Sequence, residues 1–215
     1  ILDLSRMDRI LELDPDTFTV TVEPGVVLQD LQHYVEERGF FYPPDPGEKL
    51  ATIGGNIATN AGGMRAVKYG VTRDYVRGLE AVLADGTVLP LGSKNVKDAS
   101  GLSLRHLMIG SEGTLGVITR CILRLTAKPE ETRSAVVPFA DLKAAIAAVP
   151  AILCSGADPT AVEFVERSVA ALGERFTGIS FPCPQAQAYI LLTFDGTRDK
   201  IETDIRRVRA VLTQQ

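Results

Sequence analysis

The 215-residue sequence has no tryptophan, two histidines and three cysteines. Cys121, Cys154 and Cys183 lie far apart, no pair has C-x-x-C spacing, and their number is odd. A disulfide framework is therefore not expected, and the chain reads as one kept in a reducing, cytoplasmic compartment, with a peripheral place at the inner membrane as a variant of that reading. With only His33 and His106, and no cluster around either, a metal site built from this chain is not expected. No apolar run approaches the ~20 residues of a membrane helix, and no signal-peptide pattern opens the chain. Lys and Arg are scattered and the net charge is −4, which argues against a nucleic-acid partner. There is no Gly-Lys pair, which excludes a Walker loop, and no G-x-G-x-x-G, so a nicotinamide Rossmann site has no support.

What is present suits a folded α+β protein. The hydrophobic fraction is 45%, enough for one or two domains. RILELDPDTFTVTVEPG reads as a hairpin: Phe18, Val20 and Val22 alternate with Thr17, Thr19 and Thr21, and Asp14-Pro15-Asp16 supplies turn chemistry. In VVLQDLQHYVEERG, Leu28, Leu31 and Val35 recur at helical spacing, with Gly39 placed for the C-terminal cap. LEAVLADGTVLPLG is a second hairpin with Asp85-Gly86 at its tip. SLRHLMIGSEGTLG predicts a short helix running into a glycine-rich turn. LGVITRCILRL predicts a long strand with Val117, Thr119, Cys121 and Leu123 on one face.

Around Lys128-Pro129 the composition changes from glycine-rich to alanine-rich, and a boundary is placed there, giving domains 1–128 and 129–215. The second part reads strand, helix, strand, helix or loop, strand, helix. That order suggests an incomplete or interrupted ferredoxin-like plait.

Two stretches carry chemistry. ATIGGNIATNAGGMRAVKYG, residues 51–70, is dense in Gly, Asn, Thr and Ala, and Gly110-Ser111-Glu112-Gly113-Thr114-Leu115-Gly116 repeats the style. Gly54, Gly55, Gly62 and Gly63 let a backbone approach a ligand and present successive N–H groups as an anion-binding concavity, fit for a pyrophosphate. Thr52, Asn56, Thr59 and Asn60 add short hydrogen-bonding groups. The residues alone give a binder of a phosphate-bearing cofactor, with a ligand-free glycine-rich crossover as the plain alternative.

The strings PPDPGEKLATIGGNIATNAGGMRAVKYGVTRDYVRGLEAVLADGTVL and LRHLMIGSEGTLGVITRCILRL resemble the second half of the FAD-binding domain of the vanillyl-alcohol-oxidase type. Within that superfamily they are most similar to the D-lactate dehydrogenase and glycolate oxidase large-subunit group, which also holds D-2-hydroxyglutarate dehydrogenase. The resemblance implies an antiparallel sheet with flanking helices, the second subdomain of the FAD domain, followed by a partial ferredoxin-like cap. It implies that Pro44, Asp45 and Pro46 lie on the flavin side. Thr52, Ile53, Gly54, Gly55 and Asn56 would contact the pyrophosphate and isoalloxazine, continued by Thr59, Asn60, Ala61, Gly62 and Gly63 and closed by Tyr69 and Gly70. Glu112, Gly113, Gly116, Val117 and Ile118 would reach the ribitol and adenosine end.

The implied activity is oxidation of a D-2-hydroxy acid, such as glycolate or D-lactate, to the 2-oxo acid. Electrons would pass to a quinone, an electron-transfer flavoprotein or an iron–sulfur subunit. The chain opens at Ile1 inside a strand-like phrase and carries neither the RGxGTx-like loop nor the HxxGDGN-like phrase of that group. It is therefore expected to be a middle piece, inactive in isolation, whose open sheet edges favour self-association. The catalytic base and metal ligands are expected outside it. Lys68 and Arg73 follow the glycine cradle and are expected mainly in surface ion pairs, Arg73 beside Asp74. Other chemistry within the superfamily and a remnant that binds no FAD are the competing readings.

Overall fold

A computed structural model of the chain describes residues 2–99 and 101–213. It divides into two compact units, Ile1–Lys128 and Pro129–Gln215.

In the first unit, strands β1 (Ile10–Asp14) and β2 (Thr19–Val22) form the first hairpin, and helix α1 (Leu28–Glu36) follows. A short strand β3 (Phe40–Phe41) leads into helices α2 (Ile53–Thr59), α3 (Ala66–Tyr69) and α4 (Thr72–Tyr75). Strands β4 (Val76–Val82) and β5 (Val88–Gly92), helix α5 (Leu104–Met108), and strands β6 (Val117–Arg124) and β7 (Thr126–Ala127) complete it. The main sheet is antiparallel throughout, in the order β1-β2-β6-β4-β5, and β3 pairs with β7. One face buries Val20, Val22, Leu79, Ala81, Cys121 and Leu123 against Leu28, Leu31 and Val35 of α1 and Ile53 and Ile57 of α2. At about 25 cal/mol per Å² of apolar surface removed from water, this contiguous cluster is the main source of the unit's stability.

Three local readings change. The β2 threonines do not face water: β2 lies between β1 and β6, and Thr19 and Thr21 are as buried as the valines. Phe18 is not part of the strand. It sits at φ +53° in the turn, half exposed, edge-on to Phe40 at 5.4 Å. On β6 the expected apolar face is broken by a bulge, since Glu80 pairs with Arg120 while Ala81 pairs with Ile118. The extra residue, Thr119, flips the side-chain parity, so Ile118 joins Cys121 and Leu123 in the core instead of Val117. Gly39 (φ +81°) turns the chain two residues beyond the C-cap of α1, which is Glu37.

The second unit runs β8 (Glu131–Phe139), α6 (Leu142–Cys154), β9 (Ala161–Glu166), α7 (Arg167–Thr177), β10 (Ala188–Gly196) and α8 (Arg198–Leu212). Its sheet order is β8-β10-β9, with β10 antiparallel to both neighbours. Ile201 and Val208 of α8 and Ala145, Ala148 and Ile152 of α6 pack on Ile190, Leu192 and Phe194 of β10. Asp141 caps α6, its carboxylate accepting from Ala144 N at 2.8 Å. Cys121 is buried, and Cys154 and Cys183 are exposed free thiols. Among the described residues no helix is long and apolar enough to cross a membrane.

Candidate functional site

The first glycine-rich stretch begins as a helix rather than a loop. Thr52, extended at ψ 152°, caps α2 through its hydroxyl, which accepts from Gly55 N at 3.2 Å. The other N–H groups of the first turn are also engaged within the protein. Ile53 N donates to Val26 O at 2.8 Å, Gly54 N to Pro24 O at 2.7 Å and Asn56 N to Thr52 O at 2.9 Å. Glycine is needed at position 54 because a Cβ there would lie 2.6 Å from the Cβ of Pro24. The expected concavity of free N–H groups therefore does not exist at 53–56, and what this turn offers outward is its surface.

The helix ends at Asn60, left-handed at φ +49°, whose side-chain oxygen accepts from Arg73 N at 2.9 Å. After it the chain runs open. The N–H groups of Gly62 and Gly63 meet no protein acceptor among the described residues. Gly63 lies against the Pro44-Asp45-Pro46 loop so closely that a Cβ would stand 1.8 Å from the Asp45 carbonyl oxygen. The Asp45 carboxylate is buried and paired with Lys49 at 2.6 Å and Arg65 at 3.5 Å, and the Pro44 carbonyl accepts from Gln32. Tyr69 packs edge-on to Phe41 at 5.9 Å, and Gly70 (φ +78°) makes room for the Asp74 carboxylate.

The second stretch docks directly on the first. Gly110 N donates to Ile57 O at 3.0 Å and Glu112 N to Ala58 O at 2.9 Å. Between them the backbone turns sharply, with positive φ at Gly110 (83°), Glu112 (51°) and Gly113 (75°). Here the N–H groups of Gly113, Leu115 and Gly116 meet no protein acceptor among the described residues, and a Cβ on Gly113 would enter open space. Gly116, by contrast, is held to glycine by the Val82 carbonyl, 2.9 Å from where its Cβ would be.

The two stretches share one cleft of about 200 Å³, lined by Leu4, Pro24, Gly54 and Ala58 on one side and Gly113, Gly116, Val117 and Ile118 on the other. Its lining is mainly apolar and includes Gly113 and Gly116, two of the residues whose N–H groups are unengaged. Such a surface accepts a flat or extended ligand with an anionic middle. Asn56, buried on α2, has a side-chain N–H₂ with no acceptor, one donor more than the protein itself uses.

Of the sequence-expected residues, Gly54, Gly113, Gly116, Val117 and Ile118 come together at the cleft. Gly63 packs on Asp45 and Pro46, Tyr69 on Phe41 and Gly70 on the Asp74 carboxylate, and Thr52 and Asn60 serve as helix caps. Thr59 donates its hydroxyl to Gly55 O at 3.0 Å. Leu2, Leu4, Pro24, Ala58 and Ser111 line the cleft but were not among the expected residues. Ala58 lies four residues after Gly54 and shares its helical face, a relation visible only once 53–59 is read as a helix. Arg73 does not pair with Asp74. Its guanidinium donates to the carbonyls of His106 at 2.9 Å and Ile109 at 2.8 Å, while Asp74 accepts from Val71 N. His106 has its pKa lowered, first by desolvation and then by Arg105 and Arg73, which favours the neutral ring. No three His, Cys, Asp or Glu among the described residues are placed to share a metal ion.

Comparison with known proteins agrees with this geometry. The family described as "FAD binding domain" matches residues 1–92, and "FAD linked oxidases, C-terminal domain" matches residues 128–215. The chain is 45% identical to the D-lactate dehydrogenase of Anaerostipes hadrus over 210 residues, covering 95% of this chain and 44% of that protein. It is 41% identical to glycolate oxidase subunit GlcD of Bacillus subtilis, covering 98% and 45%. The chain thus spans about half the length of these relatives. A solved alkyldihydroxyacetonephosphate synthase superposes with a TM-score of 0.81 at 22% identity, over 99% of this chain and 41% of that one, a likeness of fold. The cleft fits the cofactor these families share, because Gly113 leaves room at the surface and the nearby N–H groups suit its pyrophosphate. Fold and homology point to a vanillyl-alcohol-oxidase-type FAD-linked oxidoreductase of the D-lactate dehydrogenase and glycolate oxidase family, and the FAD-binding domain supports FAD as the cofactor.

Proposed function

We propose that the intact protein oxidises a D-2-hydroxy acid, such as glycolate or D-lactate, to the 2-oxo acid and passes the electrons to a quinone, an electron-transfer flavoprotein or an iron–sulfur subunit. The observation that carries this reading is the convergence of both glycine-rich stretches on one cleft, whose lining includes Gly113 and Gly116 with unengaged backbone N–H groups. The activities named for the two bacterial relatives, D-lactate dehydrogenase and a glycolate oxidase subunit, support the substrate class.

Bound FAD supplies a two-electron acceptor, to which the hydroxy acid can lose its C2 hydrogen as hydride while a base takes its hydroxyl proton. Residues of this chain hold and orient that group. Gly113, Leu115 and Gly116, whose backbone N–H groups are unengaged, would donate to the anionic linkage, with Gly62 and Gly63 as the second source. Ala58, Val117 and Ile118 give the apolar wall that keeps water from the face they cover. The Pro44-Asp45-Pro46 loop, fixed by Lys49, Arg65 and Gln32, forms the flavin-side wall.

In the same reading, residues 1–128 are the second subdomain of the FAD domain and 129–215 are part of the substrate cap. The order β8-β10-β9, with α6 after β8 and α8 after β10, is that of three strands of a ferredoxin-like plait into which α7 is inserted. The test is anaerobic mixing of the FAD-loaded intact protein with glycolate, D-lactate, D-2-hydroxyglutarate and L-lactate. At least one of the first three should bleach the visible flavin band, and L-lactate should not. Loaded protein that none of them bleaches would contradict the reading.

A further inference from the structure

The second glycine-rich stretch has little holding it in place. Helix α5 has five residues, with Leu104 and Leu107 turned to solvent and Met108 buried at its end. Beyond it, Glu112 stands at φ +51°, a conformation strained for a non-glycine residue that persists only where its surroundings enforce it. Two backbone hydrogen bonds join this turn to α2, from Gly110 and Glu112. Burial of Met108 and Ile109 in the core and a bond from the Arg105 guanidinium to the Arg77 carbonyl hold the segment before the turn, and a further tie is a side chain from a third element.

The segment Thr72-Arg73-Asp74 grips both stretches at once. Thr72 is fully buried, and its N–H and hydroxyl both donate to Ala61 O, at 3.1 and 2.7 Å. Arg73 N donates to the Asn60 side chain. The Arg73 guanidinium then reaches across to the His106 and Ile109 carbonyls, the last groups before the turn. Asp74 fixes the segment itself by accepting from Val71 N at 2.7 Å. No carboxylate of the described residues pairs with Arg73, so its charge is directed wholly at these two carbonyls. A guanidinium presents a planar fork that can serve both acceptors. A lysine ammonium can serve them only as a point charge.

We propose that Arg73 is a positioning residue for FAD: it clasps the second glycine-rich stretch to the end of α2 and so sets the width of the cleft and the direction of its backbone donors. This rests on the reading that the two stretches face FAD. Arg73 lies outside the lining of the cleft, so it acts through the 110–116 turn.

The experiment titrates FAD into the apo form of the intact protein and four variants, by flavin fluorescence, alongside thermal melts of each apo protein. Ala58→Leu fills the cleft and tests the reading itself. Arg73→Ala and Arg73→Lys test the clasp. Arg38→Ala removes a comparable guanidinium-to-carbonyl bond, to Tyr34 O, away from the cleft. Ala58→Leu should weaken FAD binding at least about tenfold, and Arg73→Ala by about tenfold to a hundredfold, the scale of two lost hydrogen bonds from a charged donor. Arg73→Lys should fall between Arg73→Ala and the wild type, Arg38→Ala should bind as wild type, and free guanidinium at non-denaturing concentration should restore affinity to Arg73→Ala. Wild-type affinity in Arg73→Ala, with Ala58→Leu impaired, would overturn the clasp. So would a loss in Arg73→Ala that tracks its melting temperature, is matched by Arg38→Ala and resists guanidinium. Wild-type affinity in Ala58→Leu would show instead that the reading of the cleft had failed, and the inference with it.

Discussion

The segment Ile53–Gly63 and the segment Gly110–Gly116 carry glycine in the same style but use it differently. In the first, glycine admits protein: Pro24 presses on Gly54, Val71 on Gly62 and the Asp45 carbonyl on Gly63, and the N–H groups of the first helical turn are satisfied internally. In the second, Gly116 does the same against the Val82 carbonyl, but the other two glycines admit backbone shape and, at Gly113, empty space. Gly110 and Gly113 take positive φ, nothing stands within 4 Å of a Cβ on Gly113, and three N–H groups face no protein acceptor among the described residues. Glycine density alone does not identify a ligand nest. What distinguishes one is a glycine whose missing Cβ leaves room that the protein itself does not fill.

The sharpest way to break this comparison is to add one methyl group to each segment. Gly63→Ala places a carbon on the Asp45 carbonyl and should cost about 4 kcal/mol or more in urea unfolding of the apo protein. A loss under about 1 kcal/mol would mean that the two loops are not packed as described. Gly113→Ala should cost only about 1–2 kcal/mol, the strain of a left-handed alanine, because its methyl meets no protein atom. Its larger effect should be on FAD affinity, measured by the same flavin titration. A smaller baseline effect lies away from both segments. Lys94, and then Thr17, hold the Asp14 carboxyl down at about 2 from 3.8. A depressed carboxylate contributes stability that is present above its unfolded value and is lost as pH falls through the folded one. The acid limb of stability should therefore steepen between 3.8 and about 2, and Asp14→Asn should flatten that window without touching FAD binding. An unchanged acid limb in that variant would remove the Lys94 contact from the account.

Much of this architecture was legible in the sequence because it rests on local signals. Asp85-Gly86 marks its hairpin, Leu28, Leu31 and Val35 mark α1, and the alternation of strand and helix after Pro129 appears in the second unit. What escaped depends on contacts between distant residues. Two adjacent glycines each cost a helix about 1 kcal/mol, so Gly54-Gly55 reads as a loop. The cap from Thr52 and the close approach of Pro24 outweigh that preference. The bulge at Thr119 has no sequence marker, and neither does the burial of Thr19 and Thr21 in a central strand. Arg73 followed by Asp74 suggests an ion pair. Only the fold reveals that the His106 and Ile109 carbonyls lie within its reach. Residues of the cleft were found as types and stretches, but the division of labour between the two stretches was not.

On the proposed reading, FAD would take up the donors at 113–116, while those of the first turn of α2, residues 53–56, are already engaged by the protein. Amide hydrogen exchange of the intact protein, with and without FAD, measures this directly. Ile53–Asn56 should exchange slowly in both states, and Gly113, Leu115 and Gly116 should exchange fast in the apo protein and slowly when FAD is bound. Fast exchange at 53–56 that FAD suppresses, with 113–116 unaffected, would contradict it.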